Sequence, residues 1–346
     1  MINNELRLAS DGWFSREGQE MDVINSSRIR LARNIEELVF PGKMESKDFN
    51  WFYDKIIEKT EDLQGYDLYN LNTLKLHDRQ LLAERHYLKP GASFTGEQCM
   101  LIRDDEQVVT VFNDTDHIRI KSLQSGLDLR KAYNYCNEMD NIFEDKFNYA
   151  VSPEFGYLTT DLTSAGTGMS ASAMLFLPAI RRAGKIDKAL TEIVRAGFSV
   201  RGFTGENTEE SLGDLYIIDN QFSIGQTEEE IIIQLESVTS LIAGYERETR
   251  EIIFKSDRLN MEDEVFRAKG ILENCRKISL IEAIRHLSSL KLGKYYNLID
   301  ENITYRGINC LLLQIQKSHL IKNKKKISDE DTARAEFIRN NLFMKG

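Results

Sequence analysis

Pro41, Pro90, Pro153 and Pro178 are the four prolines of the chain, and none follows Pro178 in a sequence that runs to residue 346. A proline inside a helix removes a hydrogen bond, clashes with the preceding turn and costs about 3 kcal/mol, and the later stretch, free of that constraint, carries long helix-compatible runs. There, Thr227 with Glu230 forms a capping-box pair that opens a helix predicted to reach about Phe254. From Asp257 onward only helical signals follow. They are Met261 to Cys275, then Ser279 with Glu282 as a second capping box before a helix ending near Gly293, then helices to the C-terminus. This places a boundary near residue 255 and divides the chain into 1–255 and 256–346, as its length also suggests.

The first part reads differently. Between Gln98 and Ile120, short β-rich runs flank an Asp-Asp turn, as antiparallel strands do. Further strands are expected at Ala171 to Leu177, Phe198 to Phe203 and Leu215 to Ile218, with helical periodicity at Trp51 to Lys59 and Leu129 to Phe143. The expected fold is α/β of the α+β kind: an antiparallel sheet flanked by helices, then an all-helical part. The run Lys322 to Lys326 reads as a solvated basic loop.

With 41% apolar and 29% charged residues the chain is neither disordered nor membrane-like. A net charge of -10 argues against bulk attraction to nucleic acid or anionic lipid, so any bound anion needs a local cationic pocket. The polar, acidic start and the lack of an 18-residue apolar run give no secretory signal or membrane span, and a cytoplasmic protein is expected. Cys99, Cys136, Cys275 and Cys310 are far apart, with no histidine at ligand spacing. They read as buried thiols, without disulfide or structural metal.

No G-x-x-x-x-G-K-[ST] loop occurs, and Gly166-Thr167-Gly168 is too short for a dinucleotide fingerprint. A phosphate site in this chain has to be built from side chains. In Ser26 to Asn34 (SSRIRLARN), an extended backbone puts Arg28 and Arg30 on one face and Ile29 on the other. Two neighbouring guanidinium groups repel unless an anion lies between them, and guanidinium suits phosphate through bidentate hydrogen bonds. A solvated strand face is the plainer reading of such a pair.

Ser26 to Asn34 resembles the arginine-bearing signature of the guanidino kinases, the phosphagen kinases and bacterial protein-arginine kinases. Four later segments resemble that family in the same order: Glu84-Arg85-His86, Asn113 to Arg119, Gly156 through Gly168, and Val200 to Glu206. The resemblance covers about residues 22–254 and continues more loosely beyond. It implies that Arg28, Arg30, Arg119 and Arg201 clamp the phosphates of ATP, that His86 lies beside the nucleotide, and that Mg²⁺ accompanies it. His117 reads as structural.

Three positions depart from the family. Thr115 stands where the resemblance implies a glutamate that orients and deprotonates the acceptor, Asp161 where it implies a cysteine, and Ser170 where it implies an arginine. The acceptor guanidinium has a pKa of ~13.8 and is a poor nucleophile until a carboxylate takes its proton. In one reading Asp161 and Glu206 face the guanidinium and catalysis survives in altered form. In the other the site is retired, and the protein is a nucleotide-binding regulatory or adaptor protein of the same fold.

Because the arginine motif begins at Ser26, the helical domain that precedes it in small-metabolite phosphagen kinases is not expected, which favours an arginine displayed on a protein over free arginine. The resemblance implies a C-terminal part that dimerises and carries a phosphoarginine dock. Of the dock pattern, Arg334 matches while Glu330 replaces an arginine, and a plain amphipathic helix after Ser328 is the simpler reading. The activity implied is ATP-dependent phosphorylation of protein arginines within protein quality control, by a homodimer.

Overall fold

The computed structural model describes residues 2–3, 5–8, 12–91, 96–203, 211–323, 327 and 329–343. Its strands are β1 (Ile2–Asn3), β2 (Ile24–Arg33), β3 (Tyr66–Asn70), β4 (Cys99–Arg103), β5 (Val108–Phe112), β6 (Ile118–Ser125), β7 (Val151–Ser152), β8 (Gly156–Tyr157), β9 (Met169–Phe176), β10 (Phe198–Gly202) and β11 (Leu215–Asn220). Among the described residues nine of them form one sheet in the order β1-β3-β4-β5-β6-β2-β9-β11-β10, and β7 pairs with β8 separately. Every pair is antiparallel, as expected, except the parallel edge pair β1 and β3.

The helices are α1 (Ser46–Thr60), α2 (Leu76–Glu84), α3 (Leu129–Glu144), α4 (Pro178–Arg182), α5 (Ile186–Arg195), α6 (Glu228–Ser256), α7 (Arg258–Asn274), α8 (Leu280–Tyr295), α9 (Tyr305–Gln314), α10 (Lys317–Asn323) and α11 (Glu330–Ile338). The 29-residue α6 starts on a complete capping box: Glu230 N–H donates to Thr227 Oγ1 (3.2 Å) and Thr227 N–H to Glu230 Oε2 (2.7 Å). Ser279 accepts from Glu282 N at 3.3 Å, so α8 has the N-cap half of the motif. Lys322 closes α10 instead of lying in a loop, and its ammonium donates to the Leu8 carbonyl at 2.7 Å. Lys324 to Lys326 and Ser328 fall outside the described residues.

Strand alternation gives the sheet two unlike faces. On one, Ile29 and Leu31 of β2, Ile118 and Ile120 of β6, and Ala171, Ala173 and Leu175 of β9 bury against α3 and α6. On the other, Ser170 and Ser172 of β9 border open space, whereas Met174 and Phe176, two and four residues after Ser172, enter a second core with Ile217 of β11 and with Leu272, Ile284, Leu287 and Leu311 of the helical part. One strand thus runs from the open face into the contact with the C-terminal helices.

Buried charge ties these layers together. Glu246 and Arg250 of α6 pair at 2.7 Å with both side chains fully enclosed, and Glu246 also accepts from Ala179 N (3.1 Å) and Ile180 N (3.0 Å) at the start of α4. Deleting one member of such a pair leaves an uncompensated charge and costs on the order of 3–5 kcal/mol. Lys291 of α8 is buried and, with no carboxylate bonded to it among the described residues, donates to Asn25 and Asn309. Cys99 and Cys136 are buried thiols as expected, but Cys275 and Cys310 are only partly covered. No helix among the described residues is long and apolar enough to cross a membrane.

Candidate active site

Strand register builds the site. Arg28 lies opposite Leu123 of β6 and Ser172 of β9, Arg30 opposite Lys121 and Ser170, and Arg119 opposite Ala32. Asp219 of β11 opposes Ser172, Ile217 opposes Met174, and Arg201 of β10 opposes Ile217. Directly opposed residues share a face. Arg28, Arg30, Arg119, Lys121, Arg201 and Asp219 therefore project to the same side, the one the helices α3 and α6 leave free. The cleft there measures about 1130 Å³, with Arg28, Arg30, His86, Lys89, Ser170 and Arg201 among its walls. The third arginine of the motif, Arg33, has the opposite parity: it is buried, bonded to Asp140 (2.6 Å) and stacked 3.6 Å from the Tyr157 ring centroid.

The cation cluster is only partly compensated. Asp219 accepts from Arg28 Nη2 and from Arg201 Nε, each at 3.2 Å. Arg119 bonds the Asp114 carboxylate and, at 3.1 Å, the Thr115 hydroxyl. The Nε groups of Arg28 and Arg119 are buried without a partner, and among the described residues Arg30 and Lys89 have no hydrogen-bonded partner. Burial, with Arg119 and Arg28 alongside, pushes the Arg30 guanidinium down to about 9. Burial and then Arg119 lower Lys121 well below the ordinary lysine value, and its ammonium donates to the Tyr87 carbonyl at 2.5 Å. Such unsatisfied donors and mutually depressed cations make the cleft suited to an anion.

His86 follows α2 in the left-handed region, φ +63°, a sparsely populated conformation for histidine. Its ring lies 6.2 Å from Trp13 and 6.2 Å from Phe203, and Nε2 is buried without a partner. Burial and the positive charge of Arg28 and Arg201 lower it to about 4, so the imidazole is neutral at pH 7. His117 is structural, as read from the sequence: it is enclosed, its Nδ1 accepts from Ile35 N at 3.2 Å, and it packs edge-on to Phe52.

Two of the altered positions meet at one side of the cleft. Asp116 accepts from Asn34 Nδ2 (2.9 Å) and Thr160 N (2.8 Å), and Thr160 Oγ1 donates to the Thr115 carbonyl (2.8 Å). These bonds fasten the Asn113–His117 turn to the segment carrying Asp161. Asp161 is exposed and caps the turn Leu162–Ser164, accepting from Thr163 N (3.0 Å) and Thr163 Oγ1 (2.8 Å). Those bonds, helped by Arg30 and Lys89, hold its carboxyl below the ordinary value. Ser170 sits on the floor opposite Arg30. Glu206 lies outside the described residues.

Arg334 is not among the residues lining this cleft and is enclosed, with 3% of its side chain exposed. Its guanidinium donates to the carbonyls of Ile278 (2.9 Å) and Ile315 (3.0 Å) and to Asp331 (2.6 Å), while Glu330 pairs with Lys317. The side chain is spent on tying α11 to the ends of α8 and α9.

Asp114, Asp219, Lys89 and Lys121 are parts of the site that the sequence reading missed. Lys121 was within reach, since it lies two residues after Arg119 on the same strand. Asp219 becomes visible only once β11 is registered against β9. Burial opposes ionisation of Asp114, yet Arg119, Lys121 and Lys89 hold it below the ordinary carboxyl value.

Residues 49–249 match the family model described as ATP:guanido phosphotransferase, C-terminal catalytic domain, and residues 258–345 match that described as Protein-arginine kinase McsB C-terminal domain. The protein-arginine kinase of Halothermothrix orenii is 35% identical over 338 residues, 96% of each chain. That of Bacillus subtilis is 32% identical over 355 residues, 99% of this chain and 96% of the other. Among solved structures, the duplicated taurocyamine kinase of Schistosoma mansoni with bound transition state analog components aligns with TM-score 0.60 and 24% identity, over 71% of this chain and 36% of that one. A lombricine kinase aligns with TM-score 0.59 and 19% identity over 71% of each chain. These two likenesses concern the fold.

The depressed imidazole yields a pH dependence with a definite sign. Unfolded, His86 takes a proton near 6.5; folded, it refuses one until about 4. The unfolded chain thus binds more protons in that window, so stability falls as pH drops through it, by on the order of 2 kcal/mol between pH 7 and pH 5. His117, also lowered to about 4 by burial, adds a parallel loss. In His86→Asn, whose side chain tolerates the left-handed backbone, urea unfolding should show a smaller acid loss than wild type. An equal loss in both proteins would contradict the assignment.

Proposed function

The chain belongs to the protein-arginine kinase family of ATP:guanido phosphotransferases, and on that premise we propose that it transfers the γ-phosphoryl group of ATP to arginine side chains of proteins. The observation that carries this reading is the convergence of Arg28, Arg30, Arg119 and Arg201 on one sheet face with donors left over. Phosphoryl transfer asks mainly for alignment and for neutralisation of the negative charge on the phosphate oxygens, which converging guanidinium groups supply. We assign those four arginines to the phosphates, with Lys89 and Lys121 reinforcing the field, and neutral His86 between Trp13 and Phe203 to the nucleotide.

Bound ATP supplies the phosphoryl group, and Mg²⁺ carried on its phosphate oxygens adds neutralisation. Among the described residues no cluster of three or more His, Cys, Asp or Glu side chains could hold that ion unaided. On the acceptor side we assign Asp161, with Glu206, to the incoming guanidinium. A carboxylate held ionised by Thr163, Arg30 and Lys89 grips a guanidinium well and takes its proton poorly. Asp161 therefore serves orientation more than proton removal, and the reaction is slow compared with one that has a glutamate at position 115. The relatives' names do not favour the alternative of a non-catalytic adaptor.

We divide the molecule into a catalytic part, 1–255, and a helical part, 256–346, place it in the cytoplasm in keeping with its protein-arginine kinase relatives, and assign Arg334 to holding α11 in place rather than to docking phosphoarginine. The helical part forms a homodimer in this reading, supported by apolar side chains left exposed at Leu259, Phe266 and Ile281. Sedimentation velocity at micromolar concentration is expected to give a dimer, and a monomer throughout would remove that element.

Incubation with Mg²⁺-ATP and an arginine-rich unfolded protein, followed by mass spectrometry under non-acidic handling, should reveal phosphoarginine that disappears in Arg28→Ala. ATP binding without any phosphoarginine would sink the kinase reading. In the same assay Thr115→Glu combined with Ser170→Arg should raise the rate on the order of 10²-fold, because it restores one base and one clamp. No gain would mean that these positions do not limit the reaction.

A further inference from the structure

Asp219 is an acidic side chain set among cations that the reading above reserves for phosphate. It projects from the cleft floor, 14% exposed, with Oδ1 on Arg28 Nη2 and Oδ2 on Arg201 Nε, both at 3.2 Å. One oxygen for each guanidinium is the arrangement a phosphate would make with the same pair. The carboxylate is not free to turn away. β11 is locked to β9 by register, and the next residue, Asn220, is tied to the β9 backbone by its side chain, its Oδ1 accepting from Ala171 N at 2.7 Å and its Nδ2 donating to the Met169 carbonyl at 3.4 Å. A phosphate arriving at Arg28 and Arg201 must therefore displace a carboxylate from them and then lie beside its negative charge.

We propose that Asp219 is a built-in counter-anion of the phosphate clamp: it occupies donors on Arg28 and Arg201 that a nucleotide phosphate needs, and thereby sets how weakly the resting cleft binds polyphosphate. The occupation is partial. Arg30, Lys89 and the Nε groups of Arg28 and Arg119 remain without hydrogen-bonded partners among the described residues, so the clamp is attenuated and not closed. This deepens the kinase reading and rests on it. The competing role is that of an organiser, in which Asp219 aligns two arginines that would otherwise splay apart. The two roles predict opposite signs, because removing a competitor tightens binding whereas removing an organiser weakens it.

The experiment is calorimetric titration of the full chain, wild type and Asp219→Asn, with ADP and separately with inorganic tripolyphosphate, each at low and moderate salt. Asp219→Asn should bind both probes about tenfold more tightly, with a steeper salt dependence, since the cleft gains one net positive charge. Equal or weaker binding by a variant with an unchanged melting temperature overturns the proposal, and weaker binding makes Asp219 an organiser. If the asparagine variant does not fold, Asp219→Ser removes the same charge opposite Ser172 and is read by the same two outcomes. Wild-type binding that does not tighten on substitution rejects this inference alone and leaves the kinase reading standing. Failure of every variant to bind either probe rejects both.

Discussion

Two unit charges of the same sign about 6 Å apart repel by roughly 3 kcal/mol at an effective dielectric constant of ~20, and this cleft gathers several of them on one side of one sheet. The crowding arises from register: β2 lies between β6 and β9, so the alternation that buries Ile29 and Leu31 also sends Arg28 and Arg30 toward Lys121, Ser170 and Ser172. Much of the surrounding chemistry answers that repulsion. Asp219 and Asp114 supply negative charge, Ser170 and Ser172 keep the floor small and polar, and Tyr87 offers a carbonyl to Lys121. What is left over, in unpartnered donors and depressed pKa values, is a demand for an anion.

The same principle explains what was and was not legible in the sequence. Strands β4, β5, β6, β9, β10 and β11 and helices α1, α3, α6 and α8 could be read because their alternation, 3.6-residue periodicity or capping pairs are local properties. β3 and α2 went unread. Tyr66–Asn70 mixes polar and apolar residues without a clean period, and Leu76–Glu84 begins without a side-chain cap, so both owe their form to contacts with distant chain. At the site, the arginines could be named from motif and parity, whereas Asp219 is meaningful only through pairings that no local pattern encodes. Lys322 misled for a related reason: a lysine in a basic run looks solvated until a carbonyl as distant in sequence as Leu8 is folded against it.

The C-terminal helices are less separate than the composition suggests. Their core includes Met174, Phe176, Leu215 and Ile217 of the sheet, Ser318 N and His319 N donate to the Glu84 carboxylate at the end of α2, and buried Lys291 reaches Asn25 at the start of β2. Gln316 and Lys317 complete the wall of the cleft beyond His86. The site is thus walled by the sheet on one side and by the helical part on another.

Strand β9 carries a constraint on how such a site can diverge. Its even-numbered residues serve the cleft at Ser170 and Ser172 and the contact with the helices at Met174 and Phe176, within a single eight-residue run. Inserting or deleting one residue in that run would turn every later side chain to the other face, sending residues fitted to one core into the other and, near Ser170 and Ser172, apolar residues into the cleft. Lineages of this fold are therefore confined, along β9, to exchanging side chains at fixed addresses. Specificity there can drift by substitution, but not by lengthening.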